Sequence, residues 1–281
     1  MTNGENIIYH YIQKTLLLEE KPDHFTQELL ERLIIDLSIW FPSEVYRQIP
    51  ILLPYVIRDS SCRKKNDETG KDEWGHANEK GFLRDDNSLI KGIIKSFFVD
   101  GNRVKEYNNN KLANGFVASH IWRNLNYQTC LASTYEKTNS FIPNLVWLPK
   151  QISKLTDREG SFAQDLLKNI SYNIYCKSGD SKFKNNIWRK LNNPQLETIT
   201  SYSISDLNYF RVPEKWIDKR KTELIVEFDK INDVLLTGDV SEKKVKCSSY
   251  LPSLKKNIAT QNKQKLINWL EENVEELNSN R

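Results

Sequence analysis

Two short apolar runs, the second with a proline directly behind it, constrain this chain more than any other feature. Phe116 to Trp122 reads as a strand that carries His120 near its end, and Leu145 to Leu148 reads as a second strand. Both runs are too short for a helix of ordinary length and are rich in apolar, β-branched and aromatic residues. Pro149 then stands where a helix often has its first residue, because proline there forfeits no hydrogen bond and brings a preset φ. The order along this stretch is therefore a strand, a connection, a second strand and a helix.

The flanking sequence is mainly helical in period. Asp23 to Trp40 repeats Phe25, Leu29, Leu30, Leu33, Ile34 and Leu37 at helical spacing, with Pro42 as its stop. Ile49 to Ile57 carries Pro50 and Pro54 and reads as a buried irregular segment or broken helix. Residues 58 to 88 read as a long polar surface loop, and Ser88 to Phe98 as a helix capped by Asn87 or Ser88. Gln164 to Tyr175 and Lys263 to Leu277 are further helices, and Leu224 to Phe228 reads as a strand. The expected class is α+β, with a compact strand–strand–helix unit at 112–176 embedded in a larger, helix-rich body. Residues 1–111 and 177–281 flank that unit, the latter as part of the same globular body.

With 38% hydrophobic and 28% charged residues, the chain is globular in composition. Phosphate loops, dinucleotide fingerprints, nucleophile elbows and H-E-x-x-H zinc helices are all missing from the sequence. Cys62, Cys130, Cys176 and Cys247 form no C-x-x-C pair, which argues against a zinc knuckle and for reduced thiols. No run approaches the roughly 18 apolar residues of a membrane span, so a cytoplasmic protein without membrane contact is expected. A lysine-dependent nuclease core built on Glu-x-Lys is also disfavoured. On the strand expected at 224–228, Glu227 and Lys230 would fall on opposite faces.

The strand ending in Ser119-His120-Ile121, and Asn144-Leu145-Val146-Trp147-Leu148 running into a helix, resemble the HNH (ββα-metal) nuclease family. The resemblance covers about residues 112–160, and Asn144 lies 24 positions beyond His120. It implies an endonuclease in which His120 is the general base that activates water. An imidazole suits that task because its pKa lies near working pH. The resemblance further implies a loop carbonyl that orients the ring and an asparagine, Asn144, that holds the loop. One divalent ion, magnesium with manganese able to substitute, would hold the scissile phosphate. Ser119 and Ser153 stand where relatives often supply metal ligands, and serine is a poor magnesium ligand. The ion is therefore expected on Asn144, with Asp157 on the following helix as the alternative.

The chain has far more material than such a unit needs, which points to a sequence-specific enzyme of the type II restriction class. The expected partner is double-stranded DNA, with no nucleotide cofactor, and a two-fold homodimer would serve a palindromic site. The net charge of +4 is modest, so the placement of the cations matters more than their sum. Phosphate or base contacts are expected from Arg63, Lys64, Lys65 and His76 in the polar loop. Lys150 and Lys154 after the second strand, and Lys219, Arg220 and Lys221 in a basic stretch, are further candidates. The alternative is a non-catalytic DNA-binding or partner-binding protein with a degenerate nuclease unit.

Overall fold

The apolar spacing expected near the N-terminus does build a helix, but a shorter one. The computed structural model describes residues 24–53, 63–65, 68, 72–74, 90, 92–125, 131–135, 137–154, 159–176, 181–191, 202–237 and 260–279. Helix α1 (His24–Leu37) stops three residues before Trp40. Ser38 ends it by turning its Oγ back to the Ile35 carbonyl, 3.3 Å, while Trp40 Nε1 donates to the same Oγ, 2.8 Å. That leaves Ile39 and Trp40 extended as β1, a strand of two buried residues. Pro42 does not merely stop a helix; it caps α2 (Ser43–Gln48).

Next along the chain come β2 (Arg63–Lys65) and β3 (Asp72–Trp74), which pair antiparallel. The stretch 58–88 is thus not wholly loop. Of the helix expected over 88–98, Ile90, Gly92 and Ile93 are helical, and a 3-10 turn at Ile94–Ser96 then leads to β4 (Phe98–Asp100). β5 (Phe116–His120) and β6 (Leu145–Pro149) fall on the two apolar runs, and α3 (Lys150–Ser153) starts behind Pro149. α4 (Phe162–Tyr175), α5 (Lys182–Trp188), β7 (Asn208–Arg211), α6 (Glu214–Thr237) and α7 (Thr260–Ser279) complete the described elements.

The principal sheet has the order β4-β7-β1-β6-β5, with only the β1–β7 pair parallel. The class is therefore α+β, and strands from all three sequence stretches share this one sheet. No strong strand signature marks β7. It is four residues long, and its buried Asn208 is polar because it works as a hub. Its Oδ1 accepts from the Arg103 and Val104 amides, and its Nδ2 donates to the Asp36 and Ser38 carbonyls.

The strand expected at Leu224–Phe228 is overturned, since these residues lie inside α6. Ile217, Lys221, Leu224, Phe228, Ile231 and Leu235 are buried at three- and four-residue steps, a helical stripe that outweighs the local Leu-Ile-Val run. The opposite-face argument for Glu227 and Lys230 fails with it. They are one helical turn apart and form an ion pair at 3.3 Å.

Two aromatic groups set the core. Phe41, Trp147 and Phe210 meet with ring centroids 5.2–5.3 Å apart on the sheet. Tyr46, Phe141, Trp188 and Trp122 form a chain of edge-on contacts, each 5.6 Å, and Trp188 Nε1 donates to the Tyr46 hydroxyl. Through Trp122 and Phe141, this second group brackets the connection between β5 and β6. Edge-on pairs of this kind add about 0.5–1.5 kcal/mol each beyond burial. No helix among the described residues is long and apolar enough to cross a membrane.

Lys184 belongs to a loose basic cluster in the sequence, yet it is buried. Its Nζ lies 3.1 Å from Glu276 on α7 and donates to the Arg47 carbonyl at 2.8 Å, while Ser181 Oγ donates to the same Glu276 oxygen. Both side chains are 5% exposed or less. Removing one partner strands a buried charge, so Glu276→Ala should lower stability by on the order of 3 kcal/mol in denaturant unfolding. The double variant Lys184→Met/Glu276→Leu removes both charges and should recover most of that loss. If the double variant is no more stable than the single, the pair is not what α7 depends on.

Candidate active site

β5 and β6 run antiparallel in a register that sets Phe116 opposite Pro149 and His120 opposite Leu145. His120 is thus the last strand residue, half-buried, where the chain leaves the sheet. The pairing continues one step further, as the Ile121 amide donates to the Asn144 carbonyl at 3.0 Å.

From there the Asn144 side chain takes over. It is fully buried, and its Oδ1 accepts from the Ile121 and Trp122 amides, 3.1 and 2.8 Å. Its Nδ2 donates to the Thr138 carbonyl, 2.8 Å. One side chain therefore fastens the exit of β5 to the loop that precedes β6. An amide oxygen has two acceptor directions, and both are taken. The metal role expected of Asn144 would therefore require one of these bonds to give way. The three bonds together are those expected of a residue that holds the loop.

The loop so fastened meets the histidine. His120 Nε2 lies 2.9 Å from the Asn139 main-chain oxygen. A carbonyl can only accept, so Nε2 carries the proton and donates. In the neutral ring Nδ1 is then the basic nitrogen. Asn139 is itself fully buried, with its amide donating to the Tyr135 carbonyl and its Nδ2 to the Ser133 carbonyl, 2.6 Å. Its Oδ1 is buried and meets no hydrogen-bond donor among the described residues, a situation that costs about 1–3 kcal/mol. Next along the loop, Ser140 Oγ accepts from the Leu53 amide and donates to the Leu53 carbonyl, 3.1 and 2.8 Å.

Beyond β6 the chain returns along the hairpin. The Lys150 amide donates to Gly115 O at the far end, 2.7 Å, whereas Gln164 Nε2 on α4 donates to Ile121 O at the His120 end, 3.1 Å. Gly160, at φ +71°, makes the tight turn into α4, a conformation that favours glycine. Gln164 also donates to Glu159 Oε2, and the nearly buried Lys168 pairs with Glu159 and Asp165, both at 3.4 Å. Ser171 Oγ of the same helix holds the Pro143 carbonyl, 2.6 Å. α4 thus braces the loop on both sides.

Of the remaining metal candidates, Asp157 lies outside the described residues. Ser119 is buried, and Ser153 is buried with its Oγ donating to the Lys150 carbonyl, 2.9 Å. Among the described residues no three His, Cys, Asp or Glu side chains converge as a metal site. Glu159 is a carboxylate that no sequence pattern singles out. It is tied to the His120 end through Gln164, a link visible only once α4 is folded.

The residues expected to contact DNA lie on several elements. Arg63, Lys64 and Lys65 lie on β2, with Lys64 opposite Glu73 and Lys65 opposite Asp72 across the hairpin. His76 lies outside the described residues, as does His10. Lys150 is exposed and Lys154 half-buried, but Lys150 sits about 16 Å of strand from His120. The stretch 219–221 is not one basic patch, because successive helical residues point about 100° apart. Lys219 is exposed beside Glu223, Arg220 donates to the Leu52 carbonyl and pairs with Glu223, and Lys221 is buried. His24 is an exposed residue of the first turn of α1, 3.7 Å from Glu28. Cys176 is a free thiol, half-buried.

No family model, characterised protein or solved structure matches this chain, so a functional reading rests on its own residues.

Proposed function

We propose that the chain is a sequence-specific endonuclease of the HNH (ββα-metal) type that hydrolyses phosphodiester bonds in double-stranded DNA, as a type II restriction enzyme does. The observation that carries the proposal is the base with its lock. His120 stands at the end of β5, its Nε2–H is held by the Asn139 carbonyl, and Asn144 ties that loop to the strand. An imidazole fixed in one tautomer at a chain exit is what a general base requires. In the proposed step Nδ1 of His120 takes the proton of a water whose oxygen attacks phosphorus, and the bond from phosphorus to the leaving oxygen breaks.

A divalent ion, magnesium with manganese as a substitute, belongs to the proposal. When bound it would stabilise charge on the phosphate and on the leaving oxygen. The described residues fit it only in part. Asn144 is fully engaged and Glu159 already accepts from Gln164 and Lys168, which leaves Asp157 as the remaining candidate of those proposed from sequence. A homodimer is proposed as the arrangement that would cut both strands of a two-fold site.

The second reading is a non-catalytic DNA- or partner-binding protein with a degenerate nuclease unit. Buried Ser119 and Ser153, in positions where HNH nucleases often carry metal ligands, favour it. The two readings separate on metal dependence. Cleavage of duplex DNA should proceed in magnesium or manganese and stop in excess chelator. Cutting that persists in chelator removes the ion from the mechanism. Binding of duplex DNA without any cutting in either metal supports the second reading.

A further inference from the structure

The proposed mechanism uses the main-chain oxygen of Asn139, which any residue could supply, and leaves its side chain without a purpose. That side chain is fully buried, yet it pairs only half of itself. Nδ2 donates to the Ser133 carbonyl at 2.6 Å, while Oδ1 meets no donor among the described residues. Turning the amide over would set Oδ1 against the Ser133 carbonyl, two acceptors in contact, so the orientation is fixed by chemistry. A leucine would fill much the same space and remove the orphan oxygen, giving up only the bond to Ser133. An amide that is poorly satisfied in a buried position calls for a reason beyond stability.

The surrounding bonds supply one. The Asn139 peptide sits at the head of a tight turn closed on the Tyr135 carbonyl, which accepts from the amides of both Thr138 and Asn139. Thr138 Oγ1 ties this turn to the Ala132 carbonyl, 2.6 Å, and Asn139 Nδ2 ties it to Ser133 in the same 3-10 turn (Ala132–Thr134). Asn144 restrains the turn at Thr138, one residue before the carbonyl that His120 uses, and Ser140 restrains it one residue after. At residue 139 itself two bonds hold the backbone from which the carbonyl leaves: the main-chain amide to Tyr135 and the side-chain Nδ2 to Ser133.

Resting on the general-base reading of His120, we infer that the Asn139 side chain is a positioning residue. Its Nδ2–Ser133 bond aims the Asn139 carbonyl at Nε2, keeps the ring proton there, and so keeps Nδ1 the basic nitrogen. Asn139 gives up stability at Oδ1 to do so.

Two variants test this, Asn139→Ala and the better-filling Asn139→Leu. Nitrogen-15 spectra of the histidine rings report the tautomer directly, with His120 assigned by its loss in His120→Ala. The wild type should show His120 protonated on Nε2, and both variants should show a mixture of tautomers. Cleavage should fall about 10- to 100-fold in kcat with KM little changed, as for a misplaced catalytic group. The thermal midpoint of the leucine variant should hardly move, because the lost bond and the lost orphan offset each other. A His120 that stays on Nε2 in both variants overturns the inference, whether or not the protein cuts DNA. An absence of cleavage by the wild type would instead remove the endonuclease reading, and the spectra would still decide what Asn139 does to the ring.

Discussion

Replacing His120 with alanine is expected to lower DNA cleavage by about 10²- to 10⁴-fold, the range typical of losing a general base. The loss should fall on kcat. DNA affinity should stay within a few fold, because a single half-buried ring at the end of β5 offers little surface for the duplex. Stability should fall by at least about 1 kcal/mol, the worth of the hydrogen bond from Nε2 to the Asn139 carbonyl. Cleavage rate, binding and unfolding measured on the same preparation separate these effects. A variant that loses binding and cutting in equal measure would show the ring to be structural.

Asn144→Ala should be the most damaging single change in the unit. It withdraws three bonds from a fully buried side chain, taking an acceptor from the Trp122 amide and a donor from the Thr138 carbonyl. The Ile121 amide keeps the Asn144 main-chain oxygen as a partner. At about 1–3 kcal/mol for each group so deprived, the loss should reach roughly 3–5 kcal/mol, with cleavage lost as the loop drifts from His120. Asn144→Asp decides between the framework and metal roles. A metal ligand would tolerate or welcome a carboxylate. A framework residue would not, since the second carboxylate oxygen would face the Thr138 carbonyl where Nδ2 now donates. The framework role therefore predicts that the aspartate variant is at least as impaired as the alanine one, in unfolding and in cutting. An active, stable aspartate variant would return Asn144 to the metal.

The parts of the fold that were legible in the sequence share one property: their pattern is local. β5, β6, the proline-led α3, and most of α1, α4 and α7 follow from period and punctuation over a few turns. β1 and β7 are central to the sheet and were not legible. At two and four residues they are too short to show alternation, and they are strands because of the partners on either side. α6 misled in the opposite way. Leu224-Ile225-Val226 has strand composition, and only the 24-residue stripe reveals the helix. Charge was misleading for a related reason. Lys184, Arg220 and Lys221 count as cations in the sequence, but the fold uses them inside the protein.

The site divides along the same line. His120 and Asn144 were found by type and spacing, since it is their side chains that make the contacts at the end of β5. Asn139 offered no signal, because its contact to the ring runs through a main-chain oxygen that every residue has. Glu159 acquires its place only through Gln164 and Lys168, which a helix brings to it.

Cutting of duplex DNA with His120 as the base is the proposal on which the other expectations depend. Supercoiled plasmid incubated with purified wild-type protein in magnesium, beside His120→Ala at the same concentration, tests it most directly. The expected result is discrete linear fragments from the wild type, none in chelator, and intact supercoiled plasmid with the variant over the same time. Plasmid left supercoiled by the wild type in both magnesium and manganese, or fragments produced equally by the variant, would contradict it.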